Sequence, residues 1–210
     1  MKKNFIVFII LSVALLFSCQ PQKENDEIKD EIKEDIKASY HVNHQSLSRM
    51  DYETIYLMCK SFLEEFYAAT VYNKTMDLSP YILNNNLCIY TNKKIEKASV
   101  SRYSQFSALY GVNSIDWKNI DSNIVYIKIV TEVRNSEIGG FGESHQFIIQ
   151  NIDGQLFIID WYSPGKGNSA WLDDIARGQI GKIEDPSVWD NDIWVRNIFL
   201  KADIIKDDDL

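Results

Sequence analysis

The chain has 210 residues, with 30 acidic against 22 basic side chains and a formal charge of −8 at pH 7. That balance excludes a basic face for nucleic acid and excludes electrostatic adsorption to anionic lipid as the organising interaction. The length leaves room for one folded domain, roughly Leu47 to Ile205.

The chain opens on a basic head, Met1-Lys2-Lys3-Asn4, followed by Phe5 to Phe17, apolar throughout except for Ser12. At about 1.5 Å per residue such a run is too short to cross a hydrocarbon core of about 30 Å. A basic head and a short apolar run form the pattern of a secretory signal. It stops at Leu16-Phe17-Ser18-Cys19, and charge begins at once with Gln20-Pro21-Gln22-Lys23-Glu24. The stretch Leu16 to Cys19 resembles the lipobox of bacterial lipoproteins: an aliphatic residue, a variable one, a small one, then cysteine. The resemblance implies that residues 1–18 are a signal removed in the mature protein. It also implies that Cys19 carries the lipid, and that the chain lies in the bacterial cell envelope, periplasmic or surface-exposed. Two or more acyl chains on one cysteine hold a protein stably, so they substitute for a spanning helix. Without Lys2 and Lys3 the balance is 20 basic against 30 acidic residues.

Residues 19–46 read as the lipidated cysteine and an acidic, flexible tether. Glu24 to Lys37 has no aromatic residue, and only Ile28, Ile32 and Ile36 recur at a helical spacing. So thin a stripe cannot offset the entropy of ordering the segment.

From Ser48 to about Tyr72, the apolar positions Ile55, Met58, Cys59, Phe62, Leu63, Phe66 and Ala69 follow helical spacing, with Ser48 or Asp51 as cap. Ser79-Pro80 opens a turn that ends in Asn84-Asn85-Asn86. Leu87 to Tyr90 reads as a short strand. Ile95 to Tyr110 reads as a helix with Val100, Tyr103, Phe106 and Leu109 on one side, ended by Gly111. The pattern then changes to strands over Asn113–Ile120, Asn123–Arg134, Glu143–Ile152 and Gln155–Tyr162. Asp121-Ser122 and Asp153-Gly154 supply tight turns, and Gly139 to Gly142 a looser connection. Helices first and antiparallel strands afterwards predict an α+β fold, with N-terminal helices packed on a curved sheet.

This element order, over roughly Met50 to Tyr162, resembles the NTF2-like (cystatin-like, SnoaL-type) superfamily. The aromatic-rich last strand Phe157-Ile158-Ile159-Asp160-Trp161-Tyr162 adds to the likeness. The resemblance implies a cone-shaped domain over 47–165, with 166–210 as an additional C-terminal segment. Superfamily membership fixes little about activity. In that segment Gly165-Lys166-Gly167 lacks the spacing of a phosphate-binding loop. Trp171 to Ile175 suggests a helical turn. Asp192 to Ile205 is open between strand and helix, and Trp171, Trp189 and Trp194 suggest packing on the domain or a partner.

A two-residue turn at Asp153-Gly154 predicts a register in which Phe147 faces Asp160 and His145 faces Tyr162. One face then holds His145, Phe147, Ile149, Leu156, Ile158, Asp160 and Tyr162. His145, Asp160 and Tyr162 are the candidate catalytic residues, since an aspartate beside a histidine orients the ring and raises its basicity. Phe147, Ile149, Ile158 and Asp160 are the candidate ligand contacts. The other face holds Gln146, Ile148, Gln150, Ile152, Phe157, Ile159 and Trp161; both are substantially apolar, so one can meet the helices and the other needs the tail or another subunit.

No cofactor fingerprint and no metal spacing occurs. Cys59 and Cys88 could pair as a disulfide or stay as separate core thiols. The first functional expectation is a membrane-anchored, non-catalytic module for a ligand or an envelope protein. A second is an NTF2-like enzyme acting on a small hydrophobic substrate through His145 and Asp160. A third is a structural envelope subunit. The expected partners are the membrane, through the lipid on Cys19, and an envelope protein or a second copy through the sheet face.

Overall fold

The computed structural model describes residues 40–99, 107–135, 139–163 and 168–206. The signal, Cys19 and most of the expected tether lie outside them. So do residues 100–106 of the expected second helix and the loop 164–167.

Ser48 starts the first helical segment through a capping box: its side chain accepts from Met50 N–H, and the Asp51 carboxylate accepts from Ser48 N–H at 2.8 Å. A 3₁₀ turn (Arg49–Asp51) leads into α1 (Tyr52–Tyr72), whose buried stripe is Ile55, Met58, Cys59, Phe62, Leu63, Phe66 and Ala69. Asn73, in the left-handed conformation, ends it. Next comes α2 (Asn85–Ser99). The sequence predicts a strand at Leu87–Tyr90, but these residues form the first turns of α2. The Asn84 side chain decides this by accepting from the N–H groups of Asn86 and Leu87. The expected helix therefore ends earlier than predicted, and Leu109, Tyr110 and Gly111 belong to a strand.

Four strands follow: β1 (Ser107–Asp121), β2 (Ile124–Asn135), β3 (Gly139–Ile152) and β4 (Gln155–Tyr162). They form one open antiparallel sheet in the order β1-β2-β3-β4. The fold is α+β. Register shifts in the β1–β2 and β3–β4 ladders bend the sheet. Its first face holds Val125, Ile127, Ile129, Phe147, Ile149, Leu156, Ile158 and Trp161, buried under α1 and α2. Phe62 of α1 meets Phe147 and Trp161 edge-on at ring separations of 5.9 and 5.1 Å. On the second face Tyr126, Ile148 and Tyr162 are buried with Ile183 and Ile180 of the C-terminal segment.

The hairpin turn adopts positive φ at Asp153 (52°) and Gly154 (91°), as a tight turn between twisted strands requires. The register near the turn follows the prediction, with Ile152 opposite Gln155 and Ile149 opposite Ile158. Then it shifts. Ile148 pairs with Asp160, Phe147 with Trp161 and Gln146 with Tyr162, leaving Ile159 as an extra residue. This bulge overturns the predicted facing of Phe147 with Asp160 and of His145 with Tyr162. Trp161 takes the inward position, and Tyr162 joins the second face.

The expected tether is ordered at its end. Tyr40 and Val42 are buried, His41 bridges to Gln155, and Val42 N–H donates to Gly154 O at 2.8 Å. Tyr40 O and Tyr81 O accept from Leu156 and Ile158 N–H, so the outer edge of β4 is covered. A Cβ on Gly154 would lie 3.0 Å from Val42 O at a backbone angle that side chains rarely adopt. Gly154→Ala is expected to cost about 1–2 kcal/mol, read as a lower urea midpoint with an unchanged slope.

The C-terminal segment contributes α3 (Asn168–Ala176), a 3₁₀ turn (Val188–Asp190) and α4 (Asp192–Lys201). Asn191 caps α4 by accepting from Trp194 N–H. Val195, Ile198, Phe199 and Ala202 are buried at helical spacing, and Trp189 is buried against Tyr90. Cys59 and Cys88 are free thiols. Among the described residues no helix is long and apolar enough to cross a membrane.

Candidate functional site

The chemistry of this domain lies in a chain of buried polar groups between the sheet and the helices. It comprises three clusters, and Ser163, the residue that follows β4, joins the first and the third.

The first cluster centres on Asp173 of α3. Lys94 Nζ of α2 lies 2.6 Å from Asp173 Oδ2, and Ser163 N–H donates to the same oxygen at 2.8 Å. Tyr90 O–H, one helical turn before Lys94, donates to Asp173 Oδ1 at 2.8 Å. Lys94 and Asp173 are both fully buried. The ammonium also sits 3.1 Å from the centre of the Trp161 ring, whose N–H donates to Thr91. Burial lowers Lys94 to about 8, and Asp173 opposes that loss.

The second cluster pairs Asp160 with Arg177, just past the end of α3. Two guanidinium nitrogens reach the two carboxylate oxygens at 2.9 and 2.8 Å, and Trp189 N–H donates to Asp160 at 2.7 Å. Burial works against the charge of Arg177, and Asp160 outweighs it, raising the guanidinium above its ordinary value.

The third cluster surrounds His145 of β3. Its Nδ1 lies 2.8 Å from Ser163 Oγ. Its Nε2 lies 3.1 Å from Tyr67 Oη and 3.2 Å from Thr131 Oγ1. Tyr67 O–H donates to the Glu143 carboxylate and Thr131 O–H to the Glu143 carbonyl, so both oxygens are left to accept. This assigns the ring proton to Nε2 and makes Nδ1 the acceptor from Ser163 O–H. Burial, then the nearby Lys94 charge, pushes His145 from 6.5 down to about 3. Burial raises Glu143 and Tyr67 above their ordinary values.

Of the candidate catalytic residues, the structure brings none to another. His145 bonds Ser163, Tyr67 and Thr131; Asp160 bonds Arg177 and Trp189; Tyr162 O–H donates to Asp174 of α3 at 3.1 Å. Of the candidate ligand contacts, Phe147, Ile149 and Ile158 are fully buried in the core under the helices. A buried imidazole that protonates near 3 is a poor base at neutral pH, so the trio has neither the geometry nor the basicity that the predicted register implied. Among the described residues no group of three or more histidine, cysteine or acidic side chains could hold a metal ion.

Sequence reasoning missed Lys94, Asp173 and Arg177. The spacing of Asp173 and Arg177, one helical turn apart, was the available signal. Their partners lie far away in the chain, and a charge alone reads as surface. No protein-family model matches the sequence, and no curated protein and no solved structure matches it either.

Proposed function

We propose that this chain is a lipid-anchored, extracytoplasmic binding module of the bacterial envelope, non-catalytic, with an NTF2-like domain. The anchoring half of this reading is supported by the Leu16-Phe17-Ser18-Cys19 stretch after a basic head and a short apolar run. The domain half is supported by two helices followed by four antiparallel strands. The observation that carries the binding-module reading is the interior network. Lys94, Asp173, Asp160, Arg177 and His145 are buried, and each takes its hydrogen-bond partners from this chain. Catalysis needs a group whose proton or lone pair is available to a substrate. Here the C-terminal segment closes the Lys94–Asp173 and Asp160–Arg177 pairs, while Ser163, Tyr67 and Thr131 hold His145. Ile180 and Ile183 also occupy the second sheet face, so a protein partner meets the outer surface of this module rather than that face.

The anchor is tested by replacing Cys19 with alanine and following detergent-phase partitioning. The wild-type chain partitions with the detergent and the variant with the aqueous phase. Equal partitioning of the two would remove the lipid from the account.

A further inference from the structure

Three buried donors converge on one carboxylate inside this domain. The ammonium of Lys94 and the phenol of Tyr90 come from α2, and the N–H of Ser163 comes from the end of β4. The acceptor, Asp173, comes from the C-terminal segment, on a helix of nine residues. The two sides of the contact therefore belong to different parts of the chain. The donors, with the Trp161 ring beneath the ammonium, are set by helix-on-sheet packing that includes Tyr90 and Trp161 in its core. One cation, one neutral O–H and one backbone N–H suit a monoanion with two oxygens.

A second consideration sets the chemistry of any exchange. Lys94 is fully enclosed, and a buried ammonium cannot be left unpaired without a large penalty. Withdrawal of Asp173 therefore costs least where another anion takes its place. Lifting α3 also opens the Arg177–Asp160 pair and the Tyr162–Asp174 bond, all held within one turn of that helix end. Past it the chain runs through Gly178, at φ 77°, and an irregular segment to Ser187.

We propose that Lys94, Tyr90 and the Ser163 N–H form a carboxylate-binding site in the helix–sheet body, kept closed by Asp173 as an internal ligand that a small-molecule carboxylate replaces. The inference rests on the binding-module reading and names its ligand class. It does not involve Cys19, so detergent partitioning and the experiment below can fail independently.

The full-length Asp173→Ala variant leaves the three donors in place and empties a space of carboxylate size. Its thermal midpoint, followed by tryptophan fluorescence, is measured with sodium formate or acetate, against sodium chloride and acetamide at matched concentration. The expected result is a midpoint well below wild type in chloride. It climbs with the logarithm of formate concentration and recovers roughly half of the loss or more, as binding to the folded state alone requires. Adding Lys94→Met to the variant abolishes the formate response. If Asp173→Ala does not fold in chloride, the same comparison is made by refolding it in each solute, and only the carboxylates restore native fluorescence. Equal behaviour in formate, chloride and acetamide, in either format, overturns the proposal.

Discussion

Lys94→Met is expected to lower folding stability by about 3–5 kcal/mol, read from chemical denaturation at pH 7. Methionine matches the length of the lysine stem and fills the same space over Trp161, so little of the loss comes from packing. The loss comes from Asp173. Its carboxylate is fully buried, and without the ammonium it keeps only the Tyr90 O–H and the Ser163 N–H. An enclosed carboxylate with two neutral donors is far less favourable than one with a cation at 2.6 Å. The contact also ties α2 to α3, so its loss is expected to loosen the C-terminal segment before the sheet. Amide exchange within Asn168–Ala176 should then rise ahead of exchange in β3.

His145→Gln is expected to flatten the acid limb of the stability curve. The wild-type ring is neutral, enclosed and bonded on both nitrogens, and protonates only near 3 when folded. An unfolded histidine protonates at the ordinary 6.5. Between those values the unfolded chain binds a proton that the folded chain does not. Stability therefore falls as pH falls through this window, by at most about 1.4 kcal/mol per pH unit from this residue. Above the window the residue contributes no pH dependence. Glutamine can still donate to Tyr67 and Thr131 but cannot take up the proton. Denaturation midpoints of the two proteins at pH 7 and pH 4.5 measure the difference. Parallel pH curves would show that His145 is not held neutral.

The parts of this fold that could be read in the sequence are those set by near neighbours. The stripe from Ile55 to Ala69 follows from a repeat of 3.6 residues, and the hairpin at Asp153-Gly154 from two residues that accept positive φ. Leu87 to Tyr90 misled because four apolar residues in a row suit a strand as well as a buried helix. The deciding element was the Asn84 side chain, which caps α2. The bulge at Ile159 left no mark, since no glycine or proline stands there. That single extra residue exchanges Trp161 for Asp160 at the inward position and takes the candidate catalytic trio apart. Burial of Lys94, Asp173 and Arg177 was illegible for another reason. A charge is enclosed only where a partner of opposite sign meets it, and here the partners are separated by 79 positions in one pair and 17 in the other. In both pairs the link runs to the C-terminal segment, whose own periodicity was ambiguous until Val195, Ile198, Phe199 and Ala202 were seen to share one buried side.

The C-terminal segment closes the interior through its buried charges, Asp173 on Lys94 and Arg177 on Asp160. A double-mutant cycle on Lys94 and Asp173 measures this closure, with Lys94→Met, Asp173→Leu and the pair compared by denaturation. The double variant is expected to be more stable than either single one, with a coupling energy of at least about 2 kcal/mol. Single effects that add to within about 0.5 kcal/mol would mean that the two side chains do not meet in the folded protein, and would contradict this closure.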